Sequence, residues 1–375
     1  MSVYKLFPSK DTTIYSKFPY TNTGLDEILE LTVDTTSSQY SYNSRFLIQF
    51  DSTEIQNIYN DFNLTDYSYD VNLRCYNAEA TGLDDSVILE IKTVYAGSPN
   101  EWNMGTGKYL YDPYYINGVS WVYKQKDYTN AWPTDSNNLY TTSWYNVAGG
   151  GAWFSSSIYQ YTQSFSYYTN KDINVSVKQT VSDWYVNYFN NNGFLVKIKD
   201  DINYQNQFYT QTTTAPSLKY FSRDTHTIYP PCLEFKWDDS TDTSDNINIL
   251  DTLPATISID NNSGIFYPSS VNQFRVNSRP EYPARTFQTS SYYTQNYGLP
   301  YGDSCYAIKD LDTNEYVIDF DNQYTQLSLD DNGSYFTLYM NGLEPERYYS
   351  ILIKTTINNN TLVFDTNYNF KVING

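Results

Sequence analysis

Histidine is almost missing from this sequence: His226 is the single one. A nucleophile–His–Asp triad, a His-rich zinc site and any paired-histidine mechanism are thereby excluded or reduced to one candidate. His226 stands in RDTHT, just ahead of Pro230-Pro231, the setting of a half-exposed turn residue. Cysteine is scarce as well. Cys75, Cys232 and Cys305 are odd in number and widely spaced, which argues against a disulfide framework or a zinc site and fits a chain made in a reducing cytosol. No apolar run reaches the roughly 18 residues that a spanning helix needs, so no membrane insertion is expected. The opening MSVYKLFPSKDTTIYS has no apolar core of the signal-peptide kind, and sequons such as Asn63-Leu64-Thr65 and Asn261-Asn262-Ser263 are expected to stay unmodified. Positive charge is in short supply: 23 Lys and Arg against 42 Asp and Glu leave a net −19, a field that repels nucleic-acid phosphates and anionic lipid. Nucleic acid is therefore excluded as a partner. Only three methionines and no long Ala/Leu/Glu/Lys runs make helix the minor element.

Tyrosine is what the chain has in abundance, 42 in 375 residues. It favours strands and works half-buried, ring packed and hydroxyl wet. Alternating side chains mark the strands. The chain is organised around the stretch Asn191–Lys236, with Phe194, Val196 and Ile198 on one face of one strand and Leu233 and Phe235 on one face of another. Before it come DTTIYS (Asp11–Ser16), a strand ending at Val33, SRFLIQFD with Phe46, Ile48 and Phe50 inward, and strands near Val71–Ala80 and Ser86–Gly97. Ser52–Phe62 has helical spacing. Val177, Val181, Trp184, Tyr185 and Tyr188 predict one amphipathic helix within Ile173–Gly193, stopped by Asn190–Gly193.

The fold class expected is all-β: a jelly-roll-like sandwich with one short helix over residues 1–237, an acidic linker over 238–254, and an immunoglobulin or fibronectin III-like sandwich over 255–375. In the last part, Leu343, Pro345 and Tyr349 form the Leu-x-Pro-x-x-x-Tyr pattern of a tyrosine corner. There the Tyr349 hydroxyl would satisfy a backbone group where the chain crosses between sheets. The spaced aspartates Asp238, Asp239, Asp242 and Asp245 lack the glycine and terminal glutamate of an EF-hand loop, so they read as solvated linker and no metal is assigned.

Chemistry-bearing patterns are few. No G-x-S-x-G, phosphate loop or dinucleotide fingerprint appears, and AGGGAW (Ala148–Trp153) reads as a flexible loop with no helix behind it. Carboxylate pairs such as Glu101 with Asp112, or Asp319 with Asp321, are too easily drawn in an Asp-rich chain to assign a glycosidase. No catalytic residue and no cofactor are assigned. Candidate binding residues lie on two aromatic loop regions: Trp102, Trp121, Trp132, Trp144 and Trp153, and Tyr282, Tyr292 and Tyr293 in the insert Ser278–Pro300. Large aromatics dominate both packing and contact energetics, so loop anchors and a glycan or partner platform are both open.

Four blocks in order, DTTIYS…NTGLDEILEL…SRFLIQFD, the tryptophan region, VKQTVSDWYVNYFNNNGFLVKI and FSRDTHTIYPPCLEFKW, resemble the DNRLRE family of β-sandwich domains over about residues 8–237. The start MSVYKLFPSKDTTIYS with RPEYPARTF, DLDTNEYVIDFD and NGLEPERYYSILIKT is similar to virion structural proteins of large contractile-tailed phages of marine cyanobacteria. This resemblance implies a tail, baseplate or fibre-attachment component, made in the bacterial cytoplasm and housed in the virion. Its partners would be other virion proteins in multiple symmetric copies. A carbohydrate-binding adsorption protein recognising a host glycan is the alternative.

Overall fold

Side-chain alternation and its loss in central strands explain most of the architecture. In the computed structural model, the structure describes residues 2–34, 42–83, 87–96, 101–110, 117–125, 130–132, 149–199, 216–282 and 296–374. The class is all-β, with two α-helices among the described residues where one was expected. The chain divides into two units, Leu6–Phe62 with Val71–Glu234, and Met1–Lys5 with Asn63–Asp70 and Phe235–Gly375. The chain therefore passes from one unit to the other at four points, which a single boundary near residue 237 does not describe.

Along the first two-thirds of the chain run β1 (Ser2–Leu6), β2 (Lys10–Tyr15), β3 (Ile28–Asp34), β4 (Tyr42–Gln49), α1 (Ser52–Asp61), β5 (Ser68–Cys75), β6 (Asn77–Thr81) and β7 (Val87–Thr93). After the loops follow β8 (Gln160–Phe165), β9 (Ile173–Ser176), α2 (Lys178–Tyr185), β10 (Phe194–Ile198), β11 (Ser217–Phe221) and β12 (Cys232–Asp238). The large sheet of this unit has the order β6-β11-β3-β4-β10-β7-β8, with β2 also paired to β4. β3 alternates as expected, with Leu29, Leu31 and Val33 buried. β4 does not: Arg45, Phe46, Leu47, Ile48 and Gln49 are all buried. It sits mid-sheet between β3 and β10, and its Arg45 side is covered by loops. β10 is buried along its whole length for the same reason.

The predicted helix over 173–193 is shorter than its apolar stripe. Ile173–Ser176 is strand, antiparallel to β5 with Leu73 opposite Val175, and only Lys178–Tyr185 is helical. Pairing with a strand about a hundred residues earlier takes the residues ahead of the stripe, a long-range effect that local periodicity does not carry, and Tyr188 lies beyond the helix end. Ser52–Phe62, whose spacing allowed a short helix or a turn, carries α1, its first turn held by the Asp51 carboxylate on the Thr53 and Glu54 amides.

The other unit is a two-sheet sandwich. Its elements are β13 (Ala255–Asp260), β14 (Ile265–Phe266), β15 (Val271–Pro280), β16 (Ser304–Asp310), β17 (Tyr316–Ile318), β18 (Ser328–Asp330), β19 (Gly333–Tyr339), β20 (Arg347–Ile357) and β21 (Asn360–Val372). One sheet runs β13-β15-β19-β18 and the other β14-β21-β20-β16-β17. Phe274, Val276, Phe336 and Leu338 from the first meet Tyr306, Ile308, Ile351, Ile353 and Phe370 from the second in one apolar core. Tyr306 stacks on Phe336 at 4.2 Å, and Phe336 on Phe274 at 5.3 Å. Val3, from the first strand of the chain, is buried in this core. The Lys5 ammonium donates to the Val317 carbonyl at 3.2 Å, and the Asn341 amide donates to the Lys5 carbonyl at 2.8 Å.

The 238–254 stretch is not a free linker. The Leu329 amide donates to the Thr241 carbonyl at 2.9 Å, that of Thr243 to the Leu329 carbonyl at 3.0 Å, and that of Leu250 to the Gly298 carbonyl at 2.8 Å. Its aspartates make turns: Asp238 accepts from the Ser240 amide and hydroxyl, and Asp242 does the same with Ser244. Short side chains folding back on their own backbone explain the Asp-Ser spacing without a metal.

Candidate functional site: tryptophan hub and aromatic cleft

The tryptophans named from the sequence form a hub rather than a platform. Trp102, Trp121, Trp132 and Trp153 are all buried, in one cluster with Ile14, Leu47, Val94, Val119 and Leu195. Loop carbonyls satisfy two of the indoles: Trp102 Nε1 donates to Asn192 O at 2.9 Å and Trp132 Nε1 to Ser120 O at 3.1 Å. Arg45 lies 4.8 Å from the Trp121 ring and 5.6 Å from Trp153, and donates to Gly150 O at 2.6 Å. Indoles used this way have no open face for a sugar. Trp144, Tyr292 and Tyr293 lie outside the described residues, as does Asp112. Tyr282 is 79% exposed.

The triple glycine is part of this hub, not a loose loop. Gly150 and Gly151 have φ of 87° and 88°, and a Cβ on Gly151 would stand 2.2 Å from Leu195 Cδ1. Left-handed backbone and close approach both require glycine there.

Buried charge belongs to the same unit. Lys197, wholly buried, pairs with Glu90 at 3.2 Å, and Lys92 pairs with the same carboxylate at 3.1 Å. Asp11 is buried and accepts from the Arg223 amide at 2.6 Å. Burial pushes its carboxyl up to about 7, against the pull of that hydrogen bond and with help from the neighbouring Asp224 charge. His226 is more open than expected, its side chain 3.9 Å from Glu27.

A recess of about 300 Å³ opens between the β2 end and the loop that carries Tyr109. Tyr15, Phe18 and Tyr109 give it an aromatic wall: Tyr15 and Tyr109 are 5.1 Å apart at 50°, and Phe18 meets Tyr109 edge-on at 5.7 Å. Tyr15 donates to Glu30 Oε2 at 3.0 Å, and Lys17, Thr32, Val33, Asn43, Pro216 and Ser217 complete the lining. Both oxygens of Asp26 accept from the Tyr109 amide at 3.1 Å, which hangs the exposed ring from a fixed point. Burial raises Asp26 to about 6, despite that hydrogen bond and the nearby Lys108 charge. Residues 15, 18, 30 and 109 are too far apart in sequence for any motif to have announced this recess. A second, wider and more polar cleft runs past Lys10, Glu101, Asn103 and Thr106, where Lys10 and Glu101 pair at 3.5 Å.

The tyrosine corner is where the sequence placed it. Tyr349 is buried and its hydroxyl donates to Glu344 O at 2.9 Å, with Leu343 in the core beneath. Pro345 falls in the turn between them, and Glu346 after it has φ of 64°. Asp319 and Asp321 do not share a strand face, because β17 ends at Ile318. Asp321 instead accepts from the Gln323 and Tyr324 amides.

The outer face of the five-stranded sheet carries an exposed cross-strand row. Ile265 pairs with Lys371, Lys371 with Tyr348, and the Leu311 amide donates to Tyr348 O at 3.0 Å. Ile265 is 56% exposed and Tyr348 52%. The Lys371 ammonium lies 5.7 Å from the Tyr348 ring, and exposed Tyr316 continues the patch opposite Lys309. This sequence row was not singled out in advance, since each residue reads alone as an ordinary solvent-face position.

Among the described residues no group of three or more His, Cys, Asp or Glu side chains is placed to hold a metal, and no helix is long and apolar enough to cross a membrane. Neither a family model, nor a curated protein, nor a solved structure matches this chain.

Proposed function

We propose that the chain is a non-enzymatic structural protein of a bacteriophage particle, in the tail, baseplate or fibre-attachment region, acting through protein–protein contacts. The observation that carries the contact part is the row Ile265–Lys371–Tyr348–Leu311 with Tyr316 on the outer sheet face. Interfaces are enriched in aromatic side chains at their cores and carry charged groups at their rims, and contiguous exposed apolar surface marks interaction sites. Lysines and tyrosines on one sheet supply both elements. The virion setting rests on the sequence blocks MSVYKLFPSKDTTIYS, RPEYPARTF and NGLEPERYYSILIKT.

Two β units whose aromatic side chains lock their interiors suit a part that holds its shape while neighbours bind. A lasting contact of this type buries more than about 1,000 Å² in total. The test is the protein content of purified particles of the phage that encodes the chain. This polypeptide should be present at a fixed ratio to the other structural proteins. Particles that are complete and infectious without it would end the proposal.

A further inference from the structure

We propose that the Lys92 and Gln160 side chains join in an isopeptide bond, a covalent cross-link between β7 and β8 that the chain forms on itself. This goes beyond the contact role and concerns the other unit.

Such a bond needs an amine, a carboxamide, a base and a place for the leaving nitrogen. One corner of the large sheet holds all four. Register brings the first two together, since Lys92 on β7 stands directly opposite Gln160 on β8. Side chains in such a pair lie on one face of the sheet. Lys92 is buried, and its Nζ lies 2.5 Å from Gln160 Oε1. The carbonyl bond adds about 1.2 Å, so Nζ and Cδ are at most about 3.7 Å apart. That is a few tenths of an ångström from the reacting range of roughly 3–3.5 Å.

The base is Glu90, two residues before Lys92 on the same face. Its Oε2 lies 3.1 Å from the Lys92 Nζ. The same oxygen lies 3.2 Å from the Nζ of Lys197, which stands opposite Glu90 on β10. Lys197 also donates to the Ile198 and Lys199 carbonyls, so it acts as a positioning residue for the carboxylate. The carboxamide is held one way round. Gln160 Nε2 donates to Ser155 O at 2.8 Å and to Phe154 O at 3.3 Å, which turns its oxygen to the lysine. Those carbonyls accept from the leaving nitrogen as it gains protons, and exposed Ser155 opens its way to solvent.

The step balances without an oxidant or a second reactant. Glu90 takes a proton from the Lys92 ammonium. The freed Nζ pair bonds to Gln160 Cδ, and the carbonyl π pair moves onto Oε1. Glu90 passes its proton to Nε2 and takes a second from Nζ. The Cδ–Nε2 pair leaves with that nitrogen, and the Oε1 pair restores the carbonyl. The ammonia picks up the second proton and departs as ammonium, and Glu90 is again a carboxylate. Residues 93–159, which carry Trp102, Trp121, Trp132 and Trp153, are then closed into a covalent loop. Closure of that length limits the unfolded chain.

The test is mass spectrometry of the folded full chain, intact and after trypsin. The parent should be lighter than its sequence by one ammonia. Residues 75–108 should be joined to residues 127–171 and left uncut at Lys92. Lys92→Arg keeps a cation beside Glu90, and Gln160→Leu keeps bulk without the carboxamide. Both should carry their full mass. Glu90→Gln should be cross-linked about 100-fold more slowly. Circular dichroism shows which variants fold, and the parent's own mass decides if none does. A folded parent of full mass overturns the proposal. So does release of residues 75–92 as a free peptide with the ammonia lost at an asparagine, and so does complete linkage in folded Glu90→Gln. None of these results bears on whether the polypeptide is part of a particle, so the two proposals fail separately.

Discussion

The Tyr349 hydroxyl donates to the Glu344 carbonyl oxygen at 2.9 Å, across a turn whose Glu346 holds a positive φ. The bond closes the crossing into β20 and satisfies a carbonyl where no ladder partner is available. Tyr349→Phe keeps the ring in the core and removes only the donor. It should cost about 1–3 kcal/mol, seen as a lower denaturant midpoint with an unchanged slope.

Asp11 gives a pH dependence with a definite sign. Its folded pKa, about 7, lies above the ordinary 3.8, so the native state holds a proton that the unfolded chain has released. Stability is therefore lost as pH rises from about 4 to about 7, and recovered on acidification through the same window. Asp11→Asn keeps an acceptor for the Arg223 amide and removes the charge. The variant should be more stable than the parent at pH 8, with the difference shrinking toward pH 4, as measured by urea unfolding across that range.

The tryptophan hub should answer to stability and not to ligand. Trp102→Ala empties a buried site and removes the donor to Asn192 O, a loss of about 3–5 kcal/mol. Gly151→Ala forces a Cβ against Leu195 in a left-handed backbone and should destabilise by more than about 1 kcal/mol. Thermal melts check both. Variants that melt with the parent would contradict the hub.

Much of the fold could be read from side-chain alternation, and the reasons for the misses are physical. β3, β13 and β15 show themselves through period-two patterning, and the Leu343–Pro345–Tyr349 spacing placed the tyrosine corner, though not the carbonyl that its hydroxyl meets. β4 and β10 lose their alternation because both of their faces are covered, so Arg45 and Lys197 read as solvent-facing while lying inside. Ser2–Lys5 joins residues more than two hundred positions later, a pairing that composition cannot show. The tryptophans were legible as aromatic loops but not as interior, since periodicity fails in loops. The aromatic recess and the outer-face row depend on register and loop closure, which bring together residues with no common motif.

The central claim is that the outer face of the five-stranded sheet makes contacts in a particle. Tyr348→Arg together with Leu311→Lys puts charge at the middle of that face, on side chains that are exposed in the isolated protein. The measurement is incorporation of this double variant into particles, in a host where the parent gene is deleted. The account predicts a soluble, normally melting protein that is absent from the particle. Incorporation at the parent's level would contradict it.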